Sequence, residues 1–217
     1  MFQDKTAIIL TAICLLGACL SVFGEWKKSE VVRSVSKLTA STAFILLAAI
    51  NGATDTHYGR LILISLVLSL FGDVFLLSVR SSFLLAGIAA FLLVHIAFAI
   101  AFASQSVDTK WFGIALVVLC AGSLAMLLWL WPHLAAFYKV AVCVYLAAIT
   151  IMTALAIAVS VASGSPILAA AAIIFAASDV SVARDRFIER SIVNKVWGLP
   201  LYFVAQLMFA SSVILYR

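Results

Sequence analysis

Charged residues are scarce in this sequence: Asp, Glu, Lys and Arg together make up 11% of its 217 residues, whereas 66% of the residues are hydrophobic. A soluble globule of this length could not cover its surface with so few polar side chains. The mean hydropathy of +1.24 agrees with that conclusion. The composition therefore excludes a soluble domain and predicts an integral membrane protein.

The sequence also lacks the cysteine spacing of a disulfide framework or a metal site. We interpret the four cysteines, which all fall in apolar runs, as small core residues, and we expect no metal or cofactor. They are Cys14, Cys19, Cys120 and Cys143. Basic residues exceed acidic ones by 14 to 9. In so apolar a chain, this excess predicts basic loops against anionic lipid rather than nucleic-acid binding.

Charges and turn residues divide the chain into eight apolar stretches, each close to the roughly 20 residues that cross a bilayer. We therefore predict an all-α fold, a polytopic transmembrane bundle of eight helices in a single domain over residues 1–217. The predicted spans are 6–23, 35–50, 61–79, 83–103, 111–131, 140–162, 167–183 and 197–216. The second reaches full length only if it takes in Lys37 and Arg33.

The distribution of Lys and Arg between loops predicts the orientation. The connections after spans one, three, five and seven carry ten of these residues, and the opposite side carries four. Because basic loops stay on the cytoplasmic side, both termini are predicted to be non-cytoplasmic. The short loops and compact length favour a bacterial inner membrane.

Two acids fall inside predicted spans, Asp73 and Asp179. A carboxylate at bilayer depth is costly unless it faces a partner or a polar cavity, so both are candidate functional residues. They stand in the similar strings Gly-Asp-Val and Ser-Asp-Val, 106 residues apart. This similarity predicts two parallel four-helix halves, 1–106 and 107–217, that hold the two acids at comparable height.

Other polar residues within the spans are candidates for the same pocket. Lys37 and Tyr202 are predicted to lie at the level of the two acids, and His95 lies deeper, near the middle of span four. Each also has a structural interpretation, since Lys37 could anchor at the headgroups and the others could join helices by hydrogen bonds. The same two interpretations stand for Tyr145 and Gln206.

With these residues in view, the chain resembles the YhhN-like lysoplasmalogenase family. Three stretches carry the resemblance, together with Lys37 and the pair Tyr145 and Met152. The stretches are FGDVFLLSVRSSFLLAGIAAFLLVHIAFAIAF at 71–102, FAASDVSVARDRF at 175–187 and LPLYFVAQ at 199–206. Leu38 stands where the family usually has a proline after its lysine.

The resemblance implies a membrane hydrolase that cleaves the vinyl ether bond of lysoplasmalogens, releasing a fatty aldehyde and glycerophosphocholine or glycerophosphoethanolamine. Such hydrolysis needs one acid that protonates the alkene carbon and another that stays ionised. Two aspartates that share one proton can supply both roles, and the sequence leaves open which has which. Lys37 would then meet the substrate phosphate, with Tyr202 and Gln206 near the glycerol hydroxyl or the attacking water.

Three other classes of membrane protein are alternatives to the hydrolase. A small proton-coupled transporter could use the same two aspartates, although no predicted span is interrupted by Gly or Pro at its centre. A serine esterase is disfavoured because the chain has no Gly-x-Ser-x-Gly motif. A purely structural subunit would have little reason to bury two acids. The oligomeric state stays open.

Overall fold

The computed structural model describes residues 2–78 and 80–216, with side chains from residue 4 onward. All the regular elements in this part of the chain are helical, and eight helices are long and apolar enough to cross a membrane. They are α1 (Phe2–Trp26), α2 (Glu30–Ile50), α3 (His57–Leu76), α4 (Ser81–Ala103), α5 (Thr109–Leu130), α6 (Ala136–Ser163), α7 (Ile167–Ala183) and α8 (Ile192–Ser212). The predicted all-α, eight-span architecture of an integral membrane protein is confirmed.

Local sequence explains where several helices begin and end. Side-chain oxygens of N-cap residues accept hydrogen bonds from first-turn amides of four helices, which satisfies donors that the helix cannot pair itself. These caps are Ser29 for α2, Thr56 for α3, Asp108 for α5 and Ser191 for α8. Gly164, with a φ of 71°, ends α6 in the left-handed conformation that glycine adopts at little cost, confirming the predicted turn before α7.

Two helices begin five residues earlier than predicted, with consequences for the site. Because α2 begins at Glu30, Arg33 and Lys37 both lie inside it. Because α8 begins at Ile192, Pro200 lies in its interior, and the helix continues through it without a break. Proline has no N–H, so α8 lacks one of its backbone hydrogen bonds at this point. Val79, the predicted end of span three, lies outside the described residues.

Seven of the helices pack as a closed ring in the order α1, α2, α3, α4, α6, α7, α8 and back to α1. Helix α8 also packs against α2 and α3, which brings it toward the centre of the bundle. Helix α5 packs chiefly against α6 and is the least buried of the eight. A helix that is apolar on all faces but packed on only one side is suited to contact lipid.

The interior is filled by aromatic rings and small residues. Phe98, Phe175 and Phe209 pack against one another with ring centroids 4.2 to 6.3 Å apart. One expectation about this core is wrong: of the four cysteines only Cys14 is buried, and the other three face outward. In a membrane protein the outward face meets acyl chains, so an apolar cysteine there costs little.

One end of the bundle carries the connections after α1, α3, α5 and α7, and it is called the connection end below. At this end α7 continues into a π-helical turn, Arg184–Ile188. A π turn widens the helix by one residue and is found frequently at functional sites. Here it places Asp185 beside Lys195 of α8 and Arg186 beside Leu76 of α3.

Candidate active site

Asp73 lies in the last turn of α3, and three side chains from other helices contact its carboxyl group. Ser41 and Tyr202 donate hydrogen bonds to Oδ2 at 2.5 and 2.7 Å. Lys37 Nζ lies 3.1 Å from Oδ1. Only 1% of the residue is exposed, so little solvent screens the pair. The negative end of the α3 dipole disfavours a carboxylate here, and the lysine offsets that cost.

Two interpretations of Lys37 were open, a pocket residue at the level of the acids and a headgroup anchor, and the structure places it beside Asp73. It is 8% exposed, and its ammonium group points inward to Asp73 rather than outward to the membrane surface. Its place one turn before Ser41 explains why both reach the same carboxyl group, because residues four apart lie on one helix face. The lysine is an internal counter-ion in this structure.

Asp179, on α7, is held by a second and separate set of partners. Tyr145 on α6 donates a hydrogen bond to Oδ2 at 2.9 Å. His95 Nε2 on α4 lies 3.3 Å from the same oxygen, without the alignment of a hydrogen bond. The side chain is 17% exposed, more than that of Asp73, so its carboxyl group is the more accessible of the two.

The environment of His95 settles the role of one of its ring nitrogens. The residue is fully buried, and Nδ1 lies 2.6 Å from the carbonyl oxygen of Phe91. A carbonyl only accepts, so Nδ1 must be the donor, and Nε2 is left to face Asp179. A single proton can then lie on either side of the contact between Nε2 and Oδ2, and in both cases the pair is neutral overall.

Both carboxyl groups line one cavity of about 350 Å³. Most of its wall is apolar and comes from α4, α5, α6 and α7, while charged groups gather toward the connection end. The ring of Phe175 lies between the partners of the two acids. Its centroid is 4.8 Å from that of His95, on which it stacks, and 5.9 Å from that of Tyr202. The two acids are thus parts of one chamber with different partners.

Two of the predicted residues, His95 and Gln206, do not line this chamber, and His95 lies behind Asp179. Gln206 lies one turn beyond Tyr202 and is fully buried, but its amide nitrogen donates to Ser69 at 3.2 Å. Its side-chain oxygen has no hydrogen-bond partner among the residues described. Gln206 therefore joins α8 to α3 behind Tyr202 and does not line the cavity.

Sequence reasoning missed two contributors to the site. Ser41 could have been found from its helical spacing to Lys37. Phe175 could not, because a phenylalanine in an apolar helix gives no sign that its ring will stack on a histidine from another helix. Ser41 contacts the Asp73 carboxyl group directly, and Phe175 stacks on the histidine that faces Asp179.

The fold and the cavity define a class: a polytopic membrane protein of eight helices whose cavity is lined by two intramembrane aspartates, each held by its own partners. The chain belongs to the YhhN family, whose family model matches residues 32–213. No curated protein and no solved structure matches the chain. The matched range runs from within α2 through α8 and contains all the side chains that contact the two carboxyl groups.

Proposed function

We propose that this protein hydrolyses the vinyl ether bond of lysoplasmalogens, giving a fatty aldehyde and a glycerophospho-alcohol. The observation that carries the proposal is that Asp73 and Asp179 line one largely apolar cavity in different electrostatic surroundings. Membership of the YhhN family supports the same assignment. The chemistry needs a proton donor and a fixed negative charge beside it, and the two surroundings favour one role each.

Asp73 has the role of the fixed anion. Lys37 and two hydroxyl donors all stabilise its ionised form. A carboxylate held in this way can stabilise a positive charge that develops in the cavity, and it costs no reorganisation at the moment of reaction.

Asp179 with His95 has the role of the proton donor. In this role the pair carries its proton on Nε2 or on Oδ2, and Nδ1 does not supply it because Nδ1 donates to the Phe91 carbonyl. Its neutral net charge suits a site with a low dielectric constant. After the proton leaves, Asp179 is a carboxylate and can serve as the base for the second half of the reaction.

The steps balance without any further reactant than water. The pair gives its proton to the alkene carbon remote from the ether oxygen, and the alkene electron pair forms that C–H bond. The oxocarbenium ion that remains is stabilised by Asp73. Asp179 then takes a proton from water as the water oxygen bonds to the cationic carbon, giving a hemiacetal. The hemiacetal breaks its C–O bond to the glycerol, and its hydroxyl proton ends on the leaving oxygen.

The apolar part of the cavity suits the alkyl chain of a single-chain lipid. Its wall includes Ile88 on α4, Leu119 and Met126 on α5, and Ile149 on α6. Since α5 packs chiefly against α6, the side of the cavity toward α4 is the natural entrance from the membrane. A lyso-lipid could enter there with its chain still among apolar groups.

The test is aldehyde release by the purified protein from a lysoplasmalogen in detergent. In D₂O, aldehyde trapped as it forms should carry one deuterium on the carbon next to the carbonyl, because that carbon receives the proton. Asp179→Asn should lower turnover by at least about 100-fold, the lower range for loss of a general acid. Asp108→Asn is the matched control, because it changes an acid that caps α5 away from the cavity.

Two results would count against the hydrolase. Turnover of Asp179→Asn at the wild-type rate would remove the assigned proton donor, and absence of aldehyde with the folded wild-type protein would remove the reaction. The transporter remains the competing function, although α8 continues through Pro200 and is not a discontinuous helix. Cation-dependent uptake into proteoliposomes, lost in Asp179→Asn and unaccompanied by aldehyde, would favour the transporter.

A further inference from the structure

Two arginines from distant parts of the chain meet at the connection end of the cavity. Arg33, on α2, donates from Nη2 to the carbonyl oxygen of Leu77 at 3.0 Å. Arg186, in the π turn, donates from Nη2 to the carbonyl oxygen of Leu76 at 2.9 Å. Both side chains line the cavity that holds the two carboxyl groups. The end of α3 thus fixes each guanidinium group through one nitrogen.

Each of these arginines keeps a guanidinium donor that no described residue pairs. The Nε atoms of Arg33 and Arg186 are both buried and have no hydrogen-bond partner among the described residues. A buried donor without an acceptor is unfavourable, more so on a charged group. Glu25 lies 3.8 Å from Nη1 of Arg33, which is an ion-pair distance but too long for a hydrogen bond. An acceptor bound here would satisfy donors that the protein leaves unpaired.

The charges at this end of the cavity leave a positive excess. Lys37 is paired with Asp73, and Lys195 lies 2.7 Å from Asp185. Arg33 has Glu25 as a distant partner, but no carboxylate lies within ion-pair distance of Arg186 in the part of the chain that the structure describes. Together these four cations and three carboxylates leave a net charge of one positive unit. A phosphodiester carries one negative charge and offers two free oxygens to guanidinium donors.

We propose that Arg33 and Arg186 bind the phosphate of a lysophospholipid headgroup at the connection end of the cavity. This inference rests on the proposed function for the identity of the lipid, and it replaces Lys37 as the phosphate ligand. The position suits a lyso-lipid, because the phosphate would lie at the polar end of the chamber while the chain extends along its apolar wall. The vinyl ether, between phosphate and chain, would then lie near the two carboxyl groups.

The test measures binding, so that it does not depend on catalysis. The probes are a lyso-alkyl ether phospholipid, whose saturated ether cannot be cleaved by this route, a monoalkylglycerol with the same chain but no phosphate, and inorganic phosphate. Affinities are measured on the purified protein in detergent. The wild-type protein should bind the phospholipid roughly 10- to 100-fold more tightly than the monoalkylglycerol, as expected for hydrogen bonds to a charged group.

Variants then assign that difference to the two arginines. Arg186→Gln and Arg33→Gln should each lower the affinity for the phospholipid roughly 10-fold and leave that for the monoalkylglycerol unchanged. The affinity of Arg186→Lys for the phospholipid should lie between those of the wild type and Arg186→Gln, because lysine keeps the charge but lacks the planar guanidinium group. Arg80→Gln is the matched control, because Arg80 is exposed near the same end and does not line the cavity.

Each outcome has a definite meaning. Equal wild-type affinity for the two lipids would overturn the proposal, and this comparison needs no variant that might fold poorly. Competition by inorganic phosphate at the affinity of the phospholipid would also overturn it, because the site would then hold a free anion. Phosphate-dependent lipid binding without aldehyde release would support this site and reject the hydrolase. Aldehyde release together with an unchanged affinity for the phospholipid in both glutamine variants would support the hydrolase and reject this phosphate site.

Discussion

The buried ion pair between Lys37 and Asp73 gives the sharpest test of the site, because stability and activity should respond differently to its removal. The perturbation is a double-mutant cycle of Lys37→Met, Asp73→Asn and the two together. Methionine has nearly the length of the lysine stem. Asparagine keeps a side-chain oxygen that can accept from Ser41 and Tyr202, which both contact Asp73 Oδ2.

The expected magnitude follows from the geometry. At 3.1 Å, with an effective dielectric constant of about 20, the attraction between the charges is about 5 kcal/mol. Both groups are almost fully buried, so removal of one leaves the other as an uncompensated charge. Each single variant should therefore lower the free energy of unfolding by about 3–5 kcal/mol. The double variant should lose less than either single one, which gives a coupling energy of at least about 3 kcal/mol.

The assay is reversible unfolding in mixed detergent micelles, followed by circular dichroism, with aldehyde release measured on the same samples. The double variant should regain stability but not turnover, because the fixed anion is still missing. A loss of stability in the double variant equal to the sum of the two single losses would refute the ion pair as a stabilising contact. Full turnover in the stable double variant would refute the catalytic role of Asp73.

Two further predictions concern other parts of the cavity. A side chain at Gly122 would enter open space along the cavity, whereas Gly113, also open on the same helix, does not line it. Gly122→Leu should therefore shift cleavage toward substrates with shorter alkyl chains, whereas Gly113→Leu should keep the wild-type chain preference. Equal chain preference in the two variants would contradict the assigned chain site. Tyr145→Phe removes one hydrogen bond to Asp179 and should lower turnover roughly 10- to 100-fold in kinetic assays, with little change in the affinity for a saturated lyso-ether. An unchanged rate would mean that this hydroxyl does not orient the acid.

Composition and spacing were sufficient to predict the class and the eight helices. Each span must bury its backbone hydrogen bonds and present apolar side chains over the thickness of a bilayer, and both requirements are local. The same logic singled out Asp73 and Asp179, because an acid inside an apolar run is costly wherever the chain goes next. The ends of α2 and α8 were misjudged because charged and interfacial residues continue a helix beyond its apolar part.

Only the tertiary structure could decide which side chains meet. Lys37 suits a headgroup anchor or an internal counter-ion equally well by sequence, and the packing of α2 against α3 turns it toward Asp73. His95 becomes a partner of Asp179 through the packing of α4 against α6, beside α7. Arg33 and Arg186 lie more than 150 residues apart in the chain and converge because both reach the last carbonyl groups of α3. The cost of burying a polar group can be assessed from the sequence around it, whereas the identity of its partner depends on contacts between distant segments.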